Sequence, residues 1–319
     1  MKRIFKLICI AVLQLLILSG VNINGYYENF EYKSFSLDGV DMPYRIYIPS
    51  GYENNRYPVV LYLHSAGERG NDNGIQISGG APYYLFANGF IINNPAIIIA
   101  PQCPADKQWV DTNWTYGDYS TDEVEETVYL RMTYELLNKT IADYNADISR
   151  IYITGISMGG YGTWDMVTRH PDMFAAAVPI CGAGDSGKAE VIKDIPIWAF
   201  HGDIDPVVPV SGVKKIMEAC MKIDSNNFNL TIYENTYHDA WTPTYRNEDV
   251  FKWMFRQVKD SDLVQESTNS DTLSEQRNYN TQNTESESKS INHGVIFGVT
   301  AISTVLVALV IIIIKIIKS

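Results

Sequence analysis

The chain has 319 residues, of which 46% are hydrophobic and 19% are charged, and its formal net charge is −12. A chain of this length and composition buries a sizeable core, so we expect one large globular domain with attachments at its ends. The acidic balance argues against a nucleic-acid partner, because phosphate binding needs clustered lysine and arginine.

The first 25 residues are predicted to be a secretory signal peptide. Lys2, Arg3 and Lys6 precede the apolar run LICIAVLQLLILSG. A charged segment followed by a short apolar one is typical of such signals. An uncleaved N-terminal anchor is the alternative, because the run approaches the roughly 20 apolar residues that span a bilayer.

Six short segments in residues 26–260 are predicted to be buried strands. Each is apolar at consecutive positions, a pattern typical of parallel strands covered on both faces. The segments are PVVLYLH (58–64), PAIIIAP (95–101), RIYITG (150–155), AAAVPIC (175–181), IPIWAFHG (195–202) and FNLTIYE (228–234). Before them, EYKSFSLDG and MPYRIYIPSG predict an antiparallel hairpin at the sheet edge, with its turn near Asp38 and Gly39.

Amphipathic segments between these strands are predicted to be helices. Ser120 and Glu123 have the spacing of a capping box, and apolar residues then recur at every fourth position from Val124 toward Ile141. Residues 210–223 and 248–258 have similar patterns. Strands alternating with helices predict a doubly wound α/β fold, with active-site residues on loops at the carboxyl ends of the strands.

The C-terminal part of the chain is predicted to attach the domain to a membrane. Residues 261–293 are almost free of aliphatic and aromatic side chains and are predicted to be a flexible polar stalk. Residues 294–314 carry no charge and are long enough to cross about 30 Å of hydrocarbon. Lys315 and Lys318 mark residues 315–319 as a cytoplasmic tail. We therefore expect a single-pass protein of the cell membrane with its domain outside the cell; a lipid-anchor signal is the alternative.

Removal of the signal would leave three cysteines, Cys103, Cys181 and Cys220. An odd number allows at most one disulfide within the chain. The sequence has no CxxC pair and no His/Cys cluster with the spacing of zinc ligands. We therefore expect neither a metal nor an organic cofactor.

The segment GISMG, residues 155–159, predicts a nucleophilic serine. It follows the strand RIYIT directly, and a helical pattern continues after it. A serine between glycines at a sharp strand-to-helix turn is the geometry of a nucleophile, because side chains on either side would collide with the turn. Ser157 is therefore the predicted nucleophile, and an ordinary helix N-cap is the alternative.

The base and the acid are expected after Ser157 in the chain. His238 is the predicted base because it lies in the loop between the last strand and the last helix. The other histidines after the nucleophile are His170, His201 and His293. The segment HGDIDPVVP supplies two carboxylates, Asp203 and Asp205, in the loop after the preceding strand. Spacing alone does not choose between them, since one of them can cap the next helix.

Acyl transfer also needs two N–H donors for the oxyanion. The amide of Met158, directly after the nucleophile, is one predicted donor. The loop HSAGERGNDN follows the strand at 58–64, and the amide of Ala66 in this loop is the other candidate. Glu68 and Arg69 are expected either to pair and fix this loop or to be solvated.

Five motifs together resemble the α/β-hydrolase esterases, a group that includes carboxylesterase, polyhydroxybutyrate-depolymerase-like and feruloyl-esterase-like enzymes and predicted peptidases. They are LHSAGERGNDN, APQCPADKQW, GISMGGYGTWD, HGDIDPVVP and YHDAWTPTY. The resemblance implies a serine hydrolase with Ser157 as nucleophile, His238 as base and Asp205 as acid. Ser65 departs from the family's His-Gly-x-Gly pattern, which leaves the loop conformation open. Trp109 and Trp241 resemble walls of the acyl pocket, or else core or rim aromatics.

The function expected from the sequence is hydrolysis of carboxylic esters outside the cell. An acylated polysaccharide or another extracellular polymer is the expected substrate. A serine peptidase of the same fold is one alternative, since the same triad serves both reactions. A catalytically silent binding protein that uses the fold as a scaffold is the other.

Overall fold

The computed structural model describes residues 23–259 of the chain, within which eight strands form one sheet. The strand order is β1-β2-β4-β3-β5-β6-β7-β8. The bounds are β1 Glu31–Leu37, β2 Val40–Tyr47, β3 Val59–Leu63, β4 Ile97–Pro101, β5 Ile151–Ile156, β6 Ala176–Ile180, β7 Ile197–Gly202 and β8 Phe228–Tyr233. All six strands predicted from continuous apolar runs are confirmed.

The predicted N-terminal hairpin is confirmed at one edge of the sheet. β1 pairs with β2 in antiparallel register from Glu31 opposite Ile46 to Leu37 opposite Val40. Asp38 and Gly39 form its turn with φ of 51° and 79°. β2 is also antiparallel to β4, whereas every pair from β4 to β8 is parallel. The sheet is therefore mostly parallel, as the sequence predicts.

Nine α-helices flank the sheet in the described residues. They are α1 Ile23–Glu28, α2 Gly80–Ala87, α3 Phe90–Asn93, α4 Val128–Asp143, α5 Met158–Arg169, α6 Ala189–Ile192, α7 Ser211–Lys222, α8 Trp241–Arg246 and α9 Glu248–Arg256. The helices predicted at 210–223 and 248–258 correspond to α7 and α9.

The predicted start of α4 at Ser120 is wrong. The helix begins at Val128, and Thr127 is its N-cap, with a side chain that accepts a hydrogen bond from the Leu130 N–H. Tertiary contacts override the capping-box pattern: the N–H and the hydroxyl of Thr121 both donate to Asp185, at 2.7 and 2.9 Å. The segment before the helix is therefore held outside it.

Each face of the sheet carries its own hydrophobic core. Val59, Leu61 and Leu63 of β3 belong to one cluster, which also contains buried residues of α4 and α5. Val60 and Tyr62 of the same strand belong to the other, which contains residues of α2 and α9. Successive residues of β3 point to opposite faces and all are buried, which explains its unbroken apolar run.

Several sequence predictions fall wholly or partly outside the described residues. The predicted boundary after residue 25 lies inside α1, and residues 1–22 of the predicted signal are not described. The predicted stalk at 261–293, membrane span at 294–314 and tail at 315–319 also lie outside. Among residues 23–259 no helix is long and apolar enough to cross a membrane. Cys103, Cys181 and Cys220 are free thiols and all are buried.

Candidate active site

The predicted nucleophile occupies a strained turn between β5 and α5. Ser157 has φ 54° and ψ −116°, backbone angles that a non-glycine residue rarely adopts. A Cβ at Gly155 would lie 2.3 Å from the carbonyl oxygen of Gly159. A Cβ at Gly159 would collide with the backbone at the end of β3. The expected steric reason for both glycines is confirmed.

Ser157, His238 and Asp205 form one hydrogen-bonded series. The Ser157 Oγ lies 2.8 Å from Nε2 of His238, and Nδ1 of His238 lies 2.6 Å from Oδ2 of Asp205. The loops after β7 and β8 touch, since a Cβ at Gly202 would lie 2.1 Å from the carbonyl oxygen of Tyr237. This contact brings the acid and the base together from two neighbouring strands.

The Asp205 carboxylate is buried and surrounded by donors. Its side chain is 0% exposed. Oδ1 accepts from the N–H groups of Val207 and Val208 at 2.8 and 3.0 Å. Burial raises the pKa of this carboxyl, but hydrogen bonds from His201, His238 and the two amides outweigh burial and hold the pKa below its usual range. Asp205 is therefore ionised at neutral pH.

The loop after β3 is fixed by hydrogen bonds within it and by Trp109. Ser65 has ordinary extended angles, φ −78° and ψ 176°, and caps a short 3-10 turn at Ala66–Glu68. Its N–H and hydroxyl donate to Oε2 of Glu68 at 3.0 and 2.6 Å. The buried Trp109 donates from Nε1 to the carbonyl oxygen of His64 at 3.1 Å. The serine that departs from the family pattern thus leaves the loop unstrained.

His64, at the start of this loop, is a buried neutral imidazole. Burial lowers its pKa to about 4, and the nearby Arg69 lowers it as well. Nε2 accepts from the Cys103 N–H at 2.9 Å, and Nδ1 donates to the carbonyl oxygen of Ser65 at 2.6 Å. These contacts tie the loop to the segment that follows β4.

The two predicted oxyanion donors are the first residues of their helical turns. Met158 begins α5 and Ala66 begins the 3-10 turn, and amides at such positions have no acceptor within their own helix. β3 and β5 are parallel neighbours, with Leu63 opposite Gly155. The loop and the nucleophile turn therefore leave the same edge of the sheet side by side. The role of the two amides stays a prediction.

The chain is similar to a known protein family and to solved structures. Residues 34–185 match the family described as "Putative esterase". The crystal structure of a thermostable esterase superposes with a TM-score of 0.67 at 36% identity, over 73% of this chain and 64% of that one. The chain has the α/β-hydrolase fold and is similar to esterases. A Pyrococcus horikoshii acylaminoacyl peptidase has the same fold, with a TM-score of 0.54 at 17% identity, over 75% of this chain and 43% of that one.

Proteins with similar sequences include enzymes named for acetylxylan and feruloyl esters. Acetylxylan esterase A of Emericella nidulans is 27% identical over 150 residues, which are 46% of this chain and 44% of that protein. Feruloyl esterase B of Thermothelomyces thermophilus is 29% identical over 154 residues, which are 48% of each chain. The chain thus spans about half the length of these relatives.

The structure also places the other predicted site residues. Trp109 is 0% exposed and belongs to the core, so it does not form a wall of an open pocket. Trp241 is partly exposed and lies edge-on to His238, with ring centroids 5.3 Å apart. The expected ion pair between Glu68 and Arg69 is replaced by separate contacts: Glu68 binds Ser65, and Arg69 donates from Nε to the Ala66 carbonyl at 2.9 Å.

Two contacts with Asp205 and His238 were not predicted from the sequence. His201, weighed there as an alternative base, lies on the other side of Asp205, with Nε2 3.3 Å from Oδ2. Only its four-residue spacing from Asp205 hints at this contact. Cys181 has φ 49°, and its thiol donates to the carbonyl oxygen of His238 at 3.0 Å. No local sequence pattern predicts this hydrogen bond between Cys181 and His238.

One group in the described part of the chain has the donor types of a metal site. Ligand atoms of Cys181, Asp205 and His238 lie within 4.8 Å of one another. Asp205 and His238 already engage each other at 2.6 Å. The hydrogen bonds among these residues therefore account for the cluster. The absence of a metal cofactor stays a prediction.

Proposed function

We propose that this chain hydrolyses carboxylic esters through Ser157 and a covalent acyl-enzyme. The observation that carries the proposal is the hydrogen-bonded series from the Ser157 hydroxyl through His238 to buried Asp205. A serine hydroxyl barely ionises at neutral pH and needs such a base. Asp205 holds the N–H of Nδ1, which leaves Nε2 as the acceptor that faces the hydroxyl.

The geometry supports a two-step reaction. Nε2 of His238 takes the proton as the Ser157 oxygen attacks the ester carbonyl, and the imidazolium is stabilised by Asp205. The N–H groups of Met158 and Ala66 donate to the oxyanion. The alcohol leaves with the proton from His238. Water then attacks the acyl-enzyme by the same route, which releases the carboxylic acid and restores the serine.

The surface beside the triad supports an acyl or aromatic ester as substrate. Ile204 and Val207 are exposed on either side of Asp205, and Tyr237 is exposed directly before His238. Trp241 adds an aromatic edge against the base. Several relatives are named for acetylxylan or feruloyl esters. We therefore propose acyl or feruloyl groups on an extracellular polysaccharide as the substrate class.

The proposed location is the outer face of a cell membrane. Support comes from the sequence pattern: a charged and then apolar N-terminal segment, a polar segment at 261–293, and an uncharged apolar run at 294–314 followed by Lys315 and Lys318. Protease added to intact cells would release the domain from the membrane fraction. Full protection of the domain in intact cells would contradict this location.

The first experiment treats the full chain with a fluorophosphonate probe, which reacts with activated serines. We expect labelling of the wild type and none of Ser157→Ala. Ser78→Ala is the matched control, because Ser78 is exposed and lies outside the triad. Equal labelling of wild type and Ser157→Ala would reject Ser157 as the nucleophile. No labelling of either would reject the proposal in favour of a silent binding protein.

The second experiment compares substrates on wild-type enzyme that has not been treated with the probe. Acetyl, butyryl and feruloyl esters are each measured beside a peptide substrate of the same size. We expect kcat/KM for an ester to exceed that for the peptide. A higher kcat/KM for the peptide would identify a serine peptidase that uses the same three residues.

A further inference from the structure

A second buried histidine contacts the acid of the proposed triad. His201 is the residue before the last of β7, and it is 0% exposed. Its Nε2 lies 3.3 Å from Oδ2 of Asp205 and 3.0 Å from the carbonyl oxygen of Val208. The reaction written above does not use this imidazole.

The surroundings of His201 determine which nitrogen carries its proton. Two acceptors face Nε2, so the proton is assigned to Nε2. In residues 23–259, Nδ1 is buried and has no hydrogen-bond partner. An orphaned buried acceptor is unfavourable, and an apolar side chain of similar volume would avoid it. Packing alone therefore does not explain a histidine here, whereas its hydrogen bond to Val208 and its contact with Asp205 do.

The contacts of His201 set the direction of the carboxylate. The amides of Val207 and Val208 hold Oδ1, which fixes one end of the group. His201 reaches Oδ2 at the other end, and it also holds the carbonyl of Val208, whose amide binds Oδ1. The imidazole of His201 thus contacts both the carboxylate of Asp205 and the backbone at Val208, whose amide binds that carboxylate.

We propose that His201 is a positioning residue that holds Oδ2 of Asp205 in line with Nδ1 of His238. The inference rests on the proposed function, because it concerns the same triad. Without His201 the carboxylate has donors on Oδ1 and a single donor, His238, on Oδ2. Its orientation is then less fixed, and a triad misaligned by a fraction of an ångström reacts more slowly.

The same contact has a consequence for the pH dependence. Removal of the His201 N–H leaves more negative charge on Oδ2, which stabilises the imidazolium of His238. The acid limb of kcat/KM therefore moves to higher pH. The other titratable groups near this acid–base pair are Cys181 from the end of β6, Tyr161 from α5, and Asp203 and Asp239 from the same two loops as the acid and the base.

These groups do not account for such a shift. Burial raises the pKa of Cys181 to about 12 and the pKa of Tyr161 above its usual range. Both therefore stay neutral between pH 5 and 9. Asp203 accepts from the Thr236 N–H and Asp239 from the Thr242 N–H, and both carboxylates are present in every variant compared.

The test compares two substitutions at this position in the full chain. His201→Gln keeps an amide N–H near the place of Nε2, and His201→Leu removes the donor but stays buried and apolar. The matched control is His170→Leu. His170 is partly buried, whereas His201 is fully buried. His170 stacks on Tyr134 with ring centroids 3.6 Å apart and contacts Glu126, away from the triad.

Each variant is first checked for its melting temperature, and kcat and KM for a p-nitrophenyl ester are then measured from pH 5 to 9. We expect His201→Leu to lower kcat by about 10- to 100-fold, with little change in KM and an acid limb at higher pH. His201→Gln recovers most of the lost kcat and the position of the limb. His170→Leu leaves kcat and the limb unchanged.

Three results would overturn either the positioning role of His201 or the proposed function. Wild-type kinetics in a folded His201→Leu variant would overturn the positioning role and leave the proposed function intact. Equal losses in both His201 variants with an unmoved acid limb would also overturn it, because they indicate a structural role alone. A wild type that neither reacts with a fluorophosphonate nor hydrolyses the ester would overturn the proposed function itself.

Discussion

Substitution of Gly159 by alanine tests the packing that places the nucleophile beside the loop after β3. A Cβ at Gly159 would lie 1.9 Å from the carbonyl oxygen of Leu63 and 2.8 Å from that of His64. Both are backbone atoms, so no side chain can rotate away. The start of α5 must therefore retreat by about 1.5 Å to reach ordinary van der Waals contact.

This displacement has two expected effects. Overpacking destabilises a domain by about 1–3 kcal/mol, which lowers Tm by roughly 2–10 °C at this size. Ser157 and Met158 move with the helix, away from the loop of Ala66. A misplacement of about 1 Å reduces the rate about 100-fold. Gly159→Ala is therefore expected to be folded, less stable and nearly inactive.

The assay measures Tm and the rate of fluorophosphonate labelling on the same preparations. Gly79→Ala is the matched control, because a Cβ at Gly79 meets no atom within 4 Å and the backbone there is extended. We expect the control to label at nearly the wild-type rate. If Gly159→Ala matched Gly79→Ala in both Tm and labelling rate, the inference that α5 packs closely against the end of β3 would be refuted.

Two further predictions concern the acid. Asp205→Asn is expected to lower kcat by about 10⁴-fold, because an amide no longer selects the correct tautomer of His238. Asp203→Asn, at a carboxylate that accepts from the Thr236 N–H, is expected to lower it by less than about tenfold; similar losses in both variants would contradict the assignment. The depressed pKa of Asp205 also stabilises the fold fully above about pH 4 and progressively less below it. The Tm difference between wild type and Asp205→Asn should therefore be constant from pH 6 to about pH 4 and shrink as the pH falls from about 4 toward 2. A difference that stays constant over the lower range would refute this.

The strands were predictable because burial on both faces leaves a strong local signal. β3 and β4 are buried at every position, and the apolar runs that predict them end within one or two residues of the observed strands. The start of α4 was not predictable from its own segment. Its boundary depends on Asp185, which is distant in the sequence and binds Thr121 in place of a helical partner.

The residues that meet at the candidate site were predictable in part, but spacing did not choose between Asp203 and Asp205. Asp203 and Asp205 lie in one loop, two residues apart, and spacing treats them alike. The backbone distinguishes them: Asp203 turns toward the N–H of Thr236, whereas Asp205 is reached by amides of its own loop and by His238. The resemblance to the esterase family selected Asp205, whereas the spacing of the two aspartates did not.

The left-handed backbone of Ser157 means that the working form of this domain is not its most stable form. Non-glycine residues with such angles cost about 1–3 kcal/mol, and glycine adopts them with little penalty. Folding alone would therefore favour glycine at position 157, and chemistry alone would favour serine. Under the proposed function, selection for a stable fold and selection for a reactive hydroxyl therefore oppose each other at Ser157.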